Sequence, residues 1–318
     1  MSLKIIGMGK GIPEKSITND DLAAYLDTSD EWIFSRTGIR SRHVRTWETQ
    51  TDLSAAAARE AIEKSGLAAS AIDLVICSTL GGDYVTPSLA CCVSERLGIK
   101  CPAFDVNAAC SGFIYTLDIA SCYLSAGKAQ NILIVCAESM STWVDWNDRN
   151  TCVLFGDGAA ACVAVSGNAI KHLHLSSDPS TTLLNIPAAT VNSPFFENKV
   201  ENGVLYMRGQ EVFRFAINTI EAEMKQALHT LDMAPEDIDW FLLHQANKRI
   251  IDAARTRLKQ PVEKFPVNMA EYGNLSSVTI PLMMSGMLDE GKIKPGDVLF
   301  MAAFGGGLTF GSCVMVWE

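Results

Sequence analysis

The sequence contains no run approaching the roughly 18–20 apolar residues that a bilayer-spanning helix requires, so no membrane span is expected. It has no C-x-x-C pair. Its ten cysteines are scattered, apart from the adjacent Cys91 and Cys92. That fits neither a zinc site nor a disulfide framework, so no metal is expected, and free thiols suit a reducing cytoplasm. Residues Met1 to Lys15 lack the basic start and long apolar core of a signal peptide, which agrees with a cytoplasmic location. No low-complexity segment or flexible linker divides the chain. Excess positive charge is also missing: 26 Lys and Arg face 36 Asp and Glu, a net charge of −10. Non-specific nucleic-acid binding is therefore not expected, although a local basic patch remains compatible.

What is present describes a well-buried globular protein. Hydrophobic residues make up 48% of the 318 positions and charged residues 19%. The two halves of the chain echo each other. Helical Ala57–Gly66 precedes an apolar strand at Ile72–Cys77, as Glu223–Leu231 precedes Ile238–Leu243. Phe104-x-Val-Asn107 matches Phe265-x-Val-Asn268, Gly127-Lys128 matches Gly291-Lys292, and Phe155-Gly-Asp-Gly158 answers Phe304-Gly-Gly-Gly307. Echoes in one order, all but the last at nearly constant offset, predict two copies of one α/β unit, over residues 1–170 and 171–318. Their continuous apolar strands imply sheets covered on both faces. The first copy carries extra residues at Met140 to Leu154, holding Trp143, Trp146 and Arg149. An aromatic and basic insertion there suits substrate binding or a contact between copies.

Three polar groups stand at predicted strand ends. Cys110 follows the run to Val106-Asn107 and opens a helix expected to reach about Tyr123. A helix start favours thiolate by about 0.3–1 kcal/mol, so a lowered thiol pKa is expected. His244 follows the strand Trp240–Leu243. Asn274 lies on the loop that the repeat pairs with the Cys110 loop. Together they offer a nucleophile and two neutral hydrogen-bond donors. The glycines of Phe304-Gly-Gly-Gly307 expose backbone N–H groups, as an oxyanion hole requires, or serve a tight turn. Trp32 and Arg36 share one helix face; spacing alone favours a core tryptophan with an arginine snorkelling past it, and the pair also suits a stacked base plus a phosphate. Ile250, Ile251, Ala254 and Leu258 form an apolar stripe on a helix after His244. Lys248, Arg249, Arg255, Arg257 and Lys259 lie off that stripe and suggest an acidic partner, or a solvated helix face.

These residues resemble a known family. Trp32–Arg40 (WIFSRTGIR), Asp105–Gly112 (DVNAACSG), Phe155–Ala159 (FGDGA), His244–Arg249 (HQANKR), Gly273-Asn274 and Phe304–Gly307 (FGGG) are similar to β-ketoacyl-acyl carrier protein synthase III. The resemblance runs from about Lys4 to Trp317. It implies a duplicated five-layer αβαβα thiolase fold and a homodimer. It also implies a decarboxylative condensation of an acyl-CoA primer with malonyl-acyl carrier protein, opening type II fatty acid synthesis. Acyl-CoA is then a substrate, and no cofactor is expected. Cys110 would carry the acyl group, the N–H groups of Cys110 and Gly306 would hold the oxyanion, and His244 and Asn274 would stabilise the enolate. Trp32 and Arg149 would sandwich adenine, Arg36 would contact phosphate, and Gly209 and Asn247 would contact pantetheine. Lys248, Arg249, Arg255 and Arg257 would dock the carrier protein, and Phe304 would border the acyl pocket. Thr86 stands where the family often has phenylalanine closing the neighbouring subunit's acyl pocket, which implies room for primers larger than acetyl. A related condensing enzyme of secondary metabolism shares the same triad. A papain-like hydrolase would also use Cys, His and Asn, but the duplicated frame argues against it.

Overall fold

The computed structural model describes residues 2–188, 194–195 and 203–318. Strands of the two main sheets are numbered β1–β9. They are β1 Ser2–Gly11, β2 Leu74–Ser78, β3 Ala103–Val106, β4 Asn131–Ser139 and β5 Asp157–Gly167. The others are β6 Ile170–Ser180, β7 Trp240–Leu243, β8 Val298–Gly305 and β9 Gly307–Val316. Helices of eight residues or more are α1 Asp30–Thr37, α2 Gln50–Ser65, α3 Leu89–Leu97 and α4 Gly112–Ser125. They continue with α5 Gly209–Leu231, α6 Lys248–Leu258 and α7 Thr279–Asp289.

The five-stranded sheet has the order β1-β5-β4-β2-β3 and the four-stranded sheet β6-β9-β8-β7. In the first, β1, β5 and β4 pair antiparallel while β4, β2 and β3 run parallel. In the second, β6, β9 and β8 pair antiparallel while β8 and β7 run parallel. The second sheet thus repeats the first, minus one edge strand. That strand would fall at Phe265–Val267, where Pro266 has no N–H to give a ladder.

Alternation along the strands builds the layers. On β4, Ile132, Ile134 and Cys136 face the central core, and Leu133, Val135 and Ala137 face the outer core beneath α2. On β8, Leu299, Met301 and Ala303 face the same central core, while Phe300, Ala302 and Phe304 face the core beneath α5. Because both faces are covered, both strands read as unbroken apolar runs. Helices α4 and α7 fill the space between the sheets, giving the thiolase-like five-layer αβαβα arrangement.

The two matched strands open on the same pair, Ile72-Asp73 and Ile238-Asp239, and this Ile-Asp echo has a physical basis. The N–H of Asp73 donates to the carbonyl of Asn131, at the start of β4, and its carboxylate accepts from Asn131 N–H at 3.2 Å. The N–H of Asp239 donates to the carbonyl of Val298, at the start of β8, and its carboxylate accepts from Val298 N–H at 2.8 Å. Each aspartate fastens the entrance of one strand to the start of its neighbour.

Candidate active site

The site forms where α4 and α7 begin. Cys110 lies in a short 3₁₀ turn, Ala109–Ser111, that runs into α4. A matching turn, Ser276–Val278, runs into α7. Asn107 Oδ1 accepts from Ala109 N–H at 3.3 Å, and Asn274 Oδ1 accepts from Ser276 N–H at 2.9 Å. Ala109 has φ 47° and Ser276 φ 52°, a left-handed conformation uncommon outside glycine. The loops are equivalent, as the repeat predicts, but the residue pairing is finer than the sequence suggests. Asn274 answers Asn107, and the counterpart of Cys110 is Ser277. The short helix Met269–Tyr272, inserted before Asn274, hides this offset.

The turn from Asn274 to Thr279 links the whole constellation. The Ser276 side chain, which donates to Glu138 Oε1 at 3.1 Å, stands near enough to the Cys110 thiol to act against the rise in its pKa. His244 Nδ1 lies 2.7 Å from Thr279 Oγ1, which also lies 3.1 Å from the Ser276 carbonyl. Asn274 itself is bridged to Phe155, its N–H donating to the Leu154 carbonyl. The glycine loop approaches from the other side. A Cβ on Gly305 would fall 2.5 Å from Cys110 N, so only glycine lets β8 come this close. Thr309 Oγ1 ties the two loops together, lying 2.9 Å from the Ala108 carbonyl and 3.2 Å from the Gly306 carbonyl, to either of which its single proton can be given.

Burial sets the electrostatics. His244 is 1% exposed, and loss of hydration lowers its pKa to about 3, so its ring is neutral at physiological pH. The expected lowering of the Cys110 pKa is not observed. Burial pushes the thiol up to about 12, the Ser276 side chain opposes that, and the nearby Glu138 carboxylate adds to it. The helix-start contribution is too small to reverse this desolvation. Glu138 is itself 1% exposed, and burial raises its pKa to about 7 despite hydrogen bonds from Leu80 N–H, Ser276 and Ser277.

A cavity of about 910 Å³ runs from the surface to Asn274 and Phe304. Trp32, Arg36, Arg149, Gly209 and Asn247 all line it, and so does Arg249. Cys110 and His244 are not among its lining residues. They lie next to its inner end, where the His244 and Phe304 rings meet edge-on at 5.4 Å. The guanidinium groups of Arg36 and Arg149 lie 4.7 and 5.0 Å from the Trp32 ring. Arg149 also pairs with Asp27. Asn247 caps α6 by accepting from Arg249 N–H and donates to the Arg36 carbonyl, so it holds the cavity wall together. The insertion Met140–Leu154 thus delivers Arg149 to the cavity, while Trp146 packs into the core and donates to the Ser141 carbonyl.

Two expected positions stand apart. Thr86 is exposed on the surface beside Tyr84 and Val85 and does not line the cavity of its own chain. The basic cluster on α6 is partly neutralised within the chain. Lys248 pairs with Asp252 and Arg257 with Glu221, while Arg249 lies over the Phe213 ring with no ion pair among the described residues. The described residues contain no group of three or more His, Cys, Asp or Glu placed to hold a metal, and no helix long and apolar enough to cross a membrane.

The model of the 3-oxoacyl-[acyl-carrier-protein (ACP)] synthase III family matches residues 104–179, and that of its C-terminal part matches residues 228–317. The chain is 44% identical over 321 residues to the beta-ketoacyl-[acyl-carrier-protein] synthase III of Clostridium acetobutylicum, covering 99% of each. The chain belongs to this synthase III family. It is accordingly an enzyme of the condensing acyltransferase type. The crystal structure of 3-oxoacyl-[acyl-carrier-protein] synthase III from Aquifex aeolicus VF5 superposes with a TM-score of 0.93 at 40% identity, over 99% of this chain and 100% of that one. A priming beta-ketosynthase from the R1128 polyketide biosynthetic pathway superposes with a TM-score of 0.92 at 30% identity, over 100% of this chain and 97% of that one.

Residue types and spacing did not reveal Glu138, Ser276, Ser277, Thr279 or Thr309. A signal existed for Glu138. It continues the inward-facing series Ile132, Ile134, Cys136 on a strand of apolar residues.

Proposed function

We propose that this enzyme condenses an acyl-CoA primer with malonyl-acyl carrier protein, opening type II fatty acid synthesis through an acyl-cysteine. The observation that carries this reading is the convergence of Cys110, neutral His244 and Asn274 on the turn at the inner end of a cavity walled by Trp32, Arg36 and Arg149. Cys110 Sγ attacks the thioester carbonyl, and the oxyanion forms near the N–H groups of Cys110 and Gly306. Coenzyme A leaves with the electron pair of the broken C–S bond. Malonyl-acyl carrier protein then places its thioester carbonyl between His244 and Asn274. Loss of carbon dioxide puts charge on that oxygen, where two neutral donors bind it more tightly than in the ground state. The carbanion attacks the acyl-cysteine and releases 3-oxoacyl-acyl carrier protein. No resident cofactor enters this scheme.

Trp32 and Arg149 are the groups for adenine, Arg36 for phosphate, and Gly209 and Asn247 for the pantetheine arm. The α6 cations beside the cavity mouth suit an acidic carrier protein. A second copy of the chain is part of this reading, since Thr86 reaches an acyl pocket only across a dimer. The small Thr86 side chain leaves space for primers longer than acetyl. An acetyl preference over C4–C12 acyl-CoA in competition would refute that point. A related secondary-metabolism role is favoured by the likeness to the R1128 priming enzyme.

Intact mass measurement with a panel of acyl-CoA thioesters tests the core of the reading. A mass gain that is lost in Cys110→Ser is expected, and no gain with any thioester overturns it. Turnover with malonyl-acyl carrier protein from primary metabolism, against other acceptors, separates the two roles.

A further inference from the structure

One fully buried cation has no part in the condensation. Arg42 is 0% exposed and lies in the short strand Ser41–His43, which pairs with Ser16–Thr18. Its guanidinium donates to backbone carbonyls, from Nη2 to Val153 at 2.6 Å and from Nη1 to Ile17 at 3.4 Å. Among the described residues it has no carboxylate partner, and its Nε has no hydrogen-bond partner. Burial lowers its pKa to about 10, so it stays charged at neutral pH. Packing alone does not account for such a group. An apolar side chain of similar length would fill the same space without burying a charge.

The carbonyl that Arg42 holds lies one residue from the support of Asn274. Leu154, next after Val153, accepts from Asn274 N–H at 2.8 Å, and Gly156 N–H donates back to the Asn274 carbonyl at 3.2 Å. Residues 154–156 thus hold Asn274 on both sides of its backbone. Two glycines let these segments close on Arg42. A Cβ on Gly156 or on Gly273 would fall 3.2 Å from Arg42 Cβ, and 2.7 and 2.9 Å from the carbonyls of Tyr272 and Leu154. The strand that carries Arg42 also grips the helix Met269–Tyr272 just before Asn274. Arg40 N–H donates to the Ala270 carbonyl at 2.9 Å, Ser41 Oγ donates to the Glu271 carbonyl at 3.1 Å, and the His43 ring stacks on Tyr272 at 5.6 Å. Asn274 Oδ1 is committed to Ser276 N–H, so only its Nδ2 can donate to a substrate, and its backbone decides where that donor points.

We propose that Arg42 is a positioning residue for Asn274. Its guanidinium fixes the Val153–Leu154 peptide, the Leu154 carbonyl fixes the Asn274 backbone, and Asn274 Nδ2 is thereby aimed at the thioester carbonyl of the malonyl group. This deepens the condensation reading and rests on it. Arg149, earlier on the same insertion, has its own anchor on Asp27. The effect of Arg42 therefore falls on the half-reaction that uses Asn274 and not on coenzyme A binding.

Hydrogen exchange and the two half-reactions test this together. In Arg42→Met the peptide holding Asn274 N–H should exchange about tenfold faster, while β4 keeps its protection. Cys110 acylation, read by intact mass, should keep its rate and its KM for acyl-CoA. Decarboxylation of malonyl-acyl carrier protein should lose about tenfold in kcat, because a small misplacement of a donor is costly. In an Asn274→Ala background the same substitution should cost nothing further. Arg42→Lys, which keeps the charge and a donor for Val153, should lie between wild type and Arg42→Met. It carries the test if Arg42→Met does not fold. Unchanged exchange at Asn274, an equal fall in both half-reactions, or losses that add in the double variant overturn the proposal. If Asn274→Ala decarboxylates as fast as wild type, the role given to Asn274 in condensation fails, and faster exchange in Arg42→Met would still show that Arg42 holds its backbone.

Discussion

Thr279 governs which proton His244 can offer. Its Oγ1 can donate either to His244 Nδ1 or to the Ser276 carbonyl, and Gln245 N–H at 3.4 Å supplies it with a donor. Only when Thr279 donates to Nδ1 does the neutral ring carry its proton on Nε2, where a substrate oxygen can use it. Thr279→Val removes that selection at nearly constant volume. Decarboxylation of malonyl-acyl carrier protein should fall by roughly fivefold to tenfold, the worth of about one hydrogen bond, while Cys110 acylation persists. His244→Ala and Asn274→Ala should also acylate, and each should lose about 10²–10³-fold in decarboxylation. Parallel mass and carbon dioxide release measurements check both. Gly305→Ala carries a steric prediction, because its Cβ would meet Cys110 N at 2.5 Å. It should destabilise by about 1–3 kcal/mol and abolish acylation, read by denaturant melts and the same mass assay.

Among the elements, α6 shows how composition misleads about charge. Its run of Lys and Arg reads as a uniform basic face, yet Lys248 and Arg257 have acidic partners within the chain. Arg249 forms no such pair and borders the cavity mouth. Arg249→Glu should therefore raise the KM for the carrier protein about tenfold at low salt, roughly 1.4 kcal/mol. Lys248→Glu should raise it less, and both effects should shrink in high salt. The KM for acyl-CoA of a primer-only reaction serves as the control. The helix itself was legible, since Ile250, Ile251 and Ala254 bury the stripe that periodicity marks. The Ile-Asp echo was legible too, because each aspartate does the same local work on the neighbouring strand. The counterpart of Cys110 was not, because the inserted Met269–Tyr272 helix shifts the register by a few residues that no local pattern reports.

For the whole molecule, two buried groups make opposed demands on pH. Burial raises the folded Glu138 pKa from 4.5 to about 7, so its contribution is full below pH 4.5 and is lost as pH rises through 7. Burial lowers the folded His244 pKa from 6.5 to about 3, so stability rises with pH across that interval. Between pH 4.5 and 6.5 the two slopes oppose each other. Glu138→Gln removes one of them. Relative to wild type, its stability should improve by about 3 kcal/mol as pH rises from 4.5 to 7.5, read from urea melts at each pH. A pH-independent difference would show that Glu138 stays ionised in the fold.

The sequence by itself determined the duplication, the continuous two-faced strands and the residues that carry family identity, because these follow from local order and periodicity. Cys110, His244 and Asn274 could be named because strand ends and helix starts are written locally. Only the tertiary structure decided how those ends meet. It brought the turn of α7 against the turn of α4, set Glu138 behind the thiol, and raised the pKa of a cysteine that its own helix start would lower. Desolvation depends on everything packed around a group, and no run of neighbours along the chain records it.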